Sequence, residues 1–157
     1  MSCIISAPST DSGKTTLSLL ISCWASSKNL RLQTFKVGPD FLDQEQLSSI
    51  GQPTCRNLDI FLSGENWIKN TFYKHSNKCD LSLVEGAMGL FDGLGSTHCS
   101  STANVAKVLS LPIIFIINAK GQVGSLLPLL KGFQDLDKNI KIKGVVFNNV
   151  NTDRHKK

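Results

Sequence analysis

Three segments of this chain, 81–84, 112–117 and 142–147, are almost unbroken runs of apolar residues. They read Leu-Ser-Leu-Val, Pro-Ile-Ile-Phe-Ile-Ile and Ile-Lys-Gly-Val-Val-Phe, too short for core helices and without the alternation of a strand that has one wet face. Such strands need a covering layer on each side. The intervening residues supply it: 15–26 places Leu17, Leu20, Ile21 and Trp24 at helical three-and-four spacing. Segments 66–76 and 102–109 also read as helices, the second capped by Ser100 or Ser101, and 123–136 fits a helix despite Pro128. With 3–6 and 31–37 as the first two strands, five strands alternate with helices. The fold class is therefore α/β, a parallel sheet with helices on both faces. Segment 40–62, with Gly51, Pro53 and Asn57 and no sustained period, reads as loop with short helical pieces. At 157 residues the chain is expected to form one domain.

In a parallel sheet of this kind, ligands collect beyond the carboxyl ends of the strands. The loop after the first strand carries Pro8-Ser9-Thr10-Asp11-Ser12-Gly13-Lys14-Thr15, the phosphate-binding consensus at every position but the first, where Pro8 replaces glycine. Backbone N–H groups of 10–15 would meet phosphates at the positive end of the next helix. Gly13 permits close approach, Lys14 reaches the outer phosphates and the Thr15 hydroxyl ligates magnesium. Ser9, Thr10, Asp11, Ser12, Gly13, Lys14, Thr15 and Thr16 are the candidate nucleotide contacts. A carboxylate facing phosphates would repel them, so the Asp11 side chain is expected to point away.

Two further loops follow strands. Lys36-Val37-Gly38-Pro39-Asp40-Phe41-Leu42-Asp43 clusters a lysine with two acids: Asp40 suits magnesium, and Lys36 suits the charge on a transferring phosphoryl group. Glu85-Gly86-Ala87-Met88-Gly89-Leu90-Phe91-Asp92-Gly93 puts Glu85 at the tip of an apolar strand, where a carboxylate holds magnesium or its water. Its glycines let backbone approach a substrate or move as a lid, and Asp92 is placed to position a substrate or nucleophile. Asn148 and Asn149 close the fifth strand, where an amide reads an adenine edge or simply makes a turn.

Other chemistry finds little support. The net charge of +5 gathers partly at Lys138, Lys141, Lys143, Arg154, Lys156 and Lys157, but few aromatics interleave with these lysines, so a nucleic-acid platform is not expected. No apolar run approaches a membrane span, and Met1 to Ser6 lacks the basic region of a secretory signal. Five widely spaced cysteines suit reduced thiols in a cytoplasmic setting, with Cys99 inert. His75, His98 and His155 have no zinc-ligand spacing.

Together, the segments at 7–15, 35–43, 56–59 (Arg-Asn-Leu-Asp) and 84–93 resemble the cobyrinic acid a,c-diamide synthase family. Gly95-Ser96-Thr97, Lys131-Gly132-Phe133 and 148–155 fit as well. The related cobyric acid synthases carry Gln-Asn-Met-Ser where this chain has Gly38-Pro39-Asp40. Dethiobiotin synthetase shares the architecture but lacks the patterns at 56–59 and 90–93. The resemblance implies a three-layer, dethiobiotin synthetase-like P-loop NTPase fold and ATP-dependent amidation of the a- and c-carboxylates of cobyrinate or hydrogenobyrinate in cobalamin biosynthesis. By analogy Lys14, Thr15, Asp40 and Glu85 serve ATP and Mg2+, Lys36 lies near the transferring phosphate, and Asp43 and Asp92 lie on the side of the corrinoid polycarboxylate and ammonia. Asn148 is counted with the nucleotide, and a homodimer is expected by analogy alone.

Two departures qualify the match. Family members are far longer and end in a glutaminase domain that supplies ammonia, so this sequence is expected to be a truncated synthetase domain using free ammonia or a separate glutaminase. Asn118 stands where relatives usually carry Asp. Two other readings remain: a nucleotide switch of the partitioning-ATPase kind, which places a second lysine where this chain has Ser9, and a nucleotide-binding remnant without catalysis.

Overall fold

The computed structural model describes residues 1–39, 41–49, 54–95 and 97–151, with the backbone alone for 41–43. The expectations for Gly51, Pro53, Ser96, Arg154, His155, Lys156 and Lys157 lie outside the described residues. In chain order the elements are β1 (Ser2–Ser6), α1 (Lys14–Ser27), β2 (Leu32–Val37), α2 (Phe41–Ser48), β3 (Arg56–Leu58), α3 (Ile60–Ser63), α4 (Glu65–Ser76), β4 (Leu81–Glu85), α5 (Thr102–Leu109), β5 (Ile113–Asn118), α6 (Leu126–Leu136) and β6 (Ile142–Asn148). The strands form one sheet in the order β3-β2-β4-β1-β5-β6, every pair parallel.

Side chains alternate across the strands into two cores. Ile4, Phe35, Val84, Ile113 and Phe115 face one cluster with Ile68 and Phe72 of α4 and Val105 and Leu109 of α5. Ile5, Leu32, Leu83 and Ile116 face the other with Ala25 of α1. Helices on both faces of a parallel sheet are thus present, as the unbroken apolar runs require. The Phe35 and Phe72 rings sit 5.1 Å apart, and Phe115 lies 4.9 Å from Phe133 of α6.

Three expectations change in detail. The stretch read as loop with short helical pieces does hold α2 and the start of α3, but also an unexpected strand, β3, whose three residues pair Phe35, Lys36 and Val37 with Arg56, Asn57 and Leu58. Three residues carry no period, so only the pairing reveals the strand. The stripe that signals α1 packs only in part: Leu17 and Ile21 lie against the core, Leu20 and Trp24 are exposed, and Lys14, Ser18, Ser22 and Ala25 are buried. Small residues let α1 lie close on the sheet, and the Ser22 hydroxyl donates to the Ser18 carbonyl at 2.8 Å. Finally, α6 begins at Leu126, which puts Pro128 in the first turn, where its missing N–H costs no intrahelical bond. Of the two cap candidates for α5, Ser101 accepts the Asn104 N–H and Ser100 does not serve.

Candidate active site

The register brings the chemistry together before any side chain is considered. Lys36 pairs with Glu85, and Glu85 with Ile5, so a lysine, a carboxylate and the strand leading into the first loop share one row at the carboxyl edge. Residues two apart share a face, so Lys36 and Glu85 face the same side as Leu32 and Leu83, the side covered by α1.

Loop 7–13 turns into α1 through Gly13, whose φ of 103° is in the left-handed region. A Cβ there would stand 2.5 Å from the Asn148 amide nitrogen. Asn148 donates this amide to the Ser12 carbonyl at 3.0 Å, and the Ser12 hydroxyl donates to the Ser9 carbonyl at 3.0 Å. Side chains therefore hold the loop's shape. The first turn of α1 receives no side-chain cap, so its N–H groups point into the space a bound anion would fill. Lys14 is buried, and its ammonium donates to the Ser9 carbonyl at 2.9 Å and the Met88 carbonyl at 2.6 Å. A cavity of about 500 Å³ opens here, lined by Thr10, Asp11, Gly13, Lys14, Thr15, Thr16, Lys36, Ala87 and Met88.

At its base the Thr15 hydroxyl donates to Glu85 Oε1 at 2.7 Å, and Lys36 Nζ lies 3.0 Å from the same oxygen. The Lys36 and Glu85 side chains are 3% and 1% exposed, so this ion pair is sealed from water. Lys36 also reaches the Gly86 carbonyl at 3.4 Å. Glu85 Oε2 is buried with no hydrogen-bond partner among the described residues. A buried carboxylate oxygen without a donor is costly unless something positive meets it. A hydroxyl and an orphaned carboxylate oxygen beside a phosphate cradle form a donor set that fits Mg2+, a hard cation taking oxygen ligands. Among the described residues no group of three His, Cys, Asp or Glu side chains could hold a metal.

Other candidates fall elsewhere. Asp40 and the Asp43 side chain lie outside the described residues. Asp92 is exposed and does not line the cavity; its Oδ2 accepts the Gly89 N–H at 2.8 Å and closes the turn. Asp11, by contrast, lines the cavity, at an exposed position with φ 55°. Asn118 accepts the Lys120 N–H and the Asn149 side-chain amide, joining Asn148 in a network beside Gly13. Cys99 is exposed, whereas burial pushes the Cys55 thiol up to about 11.

Sequence reasoning missed two supports. The Met88 carbonyl meets Lys14 from a residue with φ 49°, and Thr102 Oγ1 bonds both the N–H and the carbonyl of Ala87. A Cβ on Gly86 would meet that Thr102 side chain at 2.8 Å. Both supports rest on backbone atoms, which residue identity does not advertise; only the glycine at 86 signals them.

Solved structures share this architecture at low identity. The kinase domain of Escherichia coli tyrosine kinase ETK matches with a TM-score of 0.67 and 11% identity, over 96% of this chain and 68% of that one. A nucleotide-binding protein in complex with ADP from Archaeoglobus fulgidus matches with a TM-score of 0.52 and 11% identity, over 93% of this chain and 65% of that one. Sequence likeness is closer. The chain is 40% identical over 158 residues to the cobyrinate a,c-diamide synthase of Synechocystis sp., covering 99% of this chain and 33% of that protein. It is 41% identical over 153 residues to that of Methanocaldococcus jannaschii, covering 97% and 34%. The chain thus spans about a third of the length of the curated relatives it matches. The signature of the CobQ/CobB/MinD/ParA nucleotide binding domain family matches residues 3–157. With the cradle, its lysine and the Thr15–Glu85 pair all on one parallel sheet, the chain belongs to the CobQ/CobB/MinD/ParA nucleotide binding domain family and within it resembles the cobyrinate a,c-diamide synthases.

Proposed function

We propose that this chain binds ATP with Mg2+ in the 9–16 cradle and activates carboxylates of a cobyrinate-type polycarboxylate for amidation. The observation that carries the reading is the convergence of Lys14, Thr15 and Lys36 on one cavity, with Glu85 bonded to the last two. The 40% identity to a cobyrinate a,c-diamide synthase supports the choice of substrate class.

The chemistry follows from what a carboxylate lacks. Its oxygen is a poor leaving group, so ammonia does not displace it. When a substrate carboxylate oxygen attacks the γ-phosphorus, the bond to the β–γ bridging oxygen breaks and ADP leaves. Ammonia then attacks the acyl carbon, phosphate departs with the bonding pair, and a proton is lost from nitrogen. Lys14 and the loop N–H groups orient the triphosphate and stabilise the charge that moves to the bridging oxygen. Thr15 and Glu85 would hold the cation, which neutralises the phosphate oxygens when bound. Lys36 fixes the Glu85 carboxylate and places a positive charge at the cavity wall. Ammonia would come from a glutaminase domain or from free ammonia.

The test is a hydroxylamine trap. ATP, Mg2+ and cobyrinate should yield hydroxamate and ADP in equal amounts, and ammonium should replace hydroxylamine. ADP release driven by DNA or a protein partner, with no dependence on cobyrinate, would favour a nucleotide switch instead.

A further inference from the structure

The segment 56–59 raises a question the nucleotide site does not answer. Leu58 is fully buried in the core, the Asn57 amide donates to the Gly38 carbonyl at 2.7 Å, and Asp59 caps α3 by accepting the Leu62 N–H. Each has a structural task. The Arg56 side chain is exposed and has no hydrogen-bond or ion-pair partner among the described residues. It lines a cavity of about 680 Å³ at the free edge of the sheet, where β3 is the last strand.

The opposite wall is one face of α4. Trp67, Asn70, Thr71, Lys74 and His75 line the cavity at three-and-four spacing. Arg56, Lys74 and His75 therefore open onto a single space, and among the described residues no acidic side chain lines it. Burial first, then the neighbouring charges of Arg56 and Lys74, hold the His75 imidazole below its ordinary value, so the three groups act on one another. Arg56 and Lys74 are like charges with no counter-charge among the described residues that line the space, and an anion between them relieves their repulsion. Arg offers a planar fork that matches phosphate and carboxylate oxygens, Lys adds a point charge, and Asn70 and Thr71 add neutral hydrogen-bonding groups. The volume is in the range of small-molecule sites. β3 and β1 are three strand spacings apart, about 14 Å, so this cavity is separate from the phosphate cradle.

We propose that the cavity between β3 and α4 binds a small molecule bearing two or more phosphate or carboxylate groups, held by Arg56, Lys74 and His75. The site is independent of the amidation reading. The experiment titrates the chain, with its cradle saturated by ADP, using pyrophosphate in one arm and tricarballylate in the other, at constant ionic strength by calorimetry. Saturable one-to-one binding is expected in at least one arm, weakened about tenfold in Arg56→Ala/Lys74→Ala while ADP affinity stays unchanged. The tighter arm identifies a phosphate-bearing or a carboxylate-bearing ligand. Binding that does not saturate in either arm, or that the double variant leaves intact, overturns the proposal. Should the double variant lose its ADP affinity or its helical circular dichroism, Lys74→Gln replaces it, at an exposed helical position where about a threefold loss is expected. Unaltered affinity in that variant counts equally against the site. ADP affinity is read separately, so a failure of the cradle is distinguishable from a failure here.

Discussion

The Thr15 hydroxyl donates to Glu85 at 2.7 Å, and that single bond joins the first turn of α1 to the tip of β4. It gives the phosphate cradle a carboxylate whose other oxygen is buried and has no hydrogen-bond partner among the described residues. Glu85→Gln keeps the shape and removes the charge. The expected result is ATP affinity that no longer rises with Mg2+, while affinity without Mg2+ changes less than about threefold; calorimetry across a magnesium series checks it. A magnesium response equal to that of the unaltered chain would remove Glu85 from the metal site.

Lys14 reaches the cavity that the triphosphate would occupy and is the cradle's fixed positive charge. Lys14→Ala is expected to weaken ATP binding by about 10- to 100-fold, the worth of one charge-assisted hydrogen bond. Unchanged affinity would place the nucleotide elsewhere.

Lys36 and Glu85 form a pair 3% and 1% exposed, so neutralising one partner leaves a charge in a low dielectric. Lys36→Met should destabilise the fold by about 3 kcal/mol, and adding Glu85→Gln should recover part of that loss. Urea unfolding of the two single variants and the double variant measures the coupling. Strict additivity would mean the two charges do not interact.

Gly13 and Asn148 form the other mechanical link. Gly13→Ala meets both a φ of 103° and the Asn148 amide at 2.5 Å, and should abolish nucleotide binding. Asn148→Ala relieves the contact but frees the Ser12 carbonyl, so ATP affinity should fall by about tenfold. If Gly13→Ala bound normally in the Asn148→Ala background, backbone strain would be irrelevant and crowding would be the whole effect.

Two surface carboxylates set the acid response. The Arg31 backbone N–H, then its guanidinium, hold Asp80 below the usual carboxylate range, and a hydrogen bond from Lys107 does the same for Asp137. A depressed native value means stability that is fully present above the unfolded carboxylate value and lost as pH falls through the native one. Unfolding midpoints between pH 5 and pH 2 should therefore fall less steeply for Asp80→Asn and Asp137→Asn than for the unaltered chain, since the slope follows the protons taken up on unfolding.

What the order of residues determined by itself is the class of fold and the cradle. Continuous apolar strands demand two covering layers, and Gly13-Lys14-Thr15 between strand and helix dictates where phosphate would sit, because both signals are local in the chain. The register of β2 on β4 was not legible, yet it alone sets Lys36 beside Glu85, 49 residues apart. Nor were the exposed Leu20 and Trp24, since periodicity reports a helix's stripe without saying which face meets the sheet. The same holds for β3, too short to show a period, and for the Asn148 amide that crosses from the far edge to Ser12. Contacts between distant segments depend on how parallel strands align and how closely helices lie on them. That alignment is a property of the packed whole, and it chose the partners of groups whose identity the chain had already supplied.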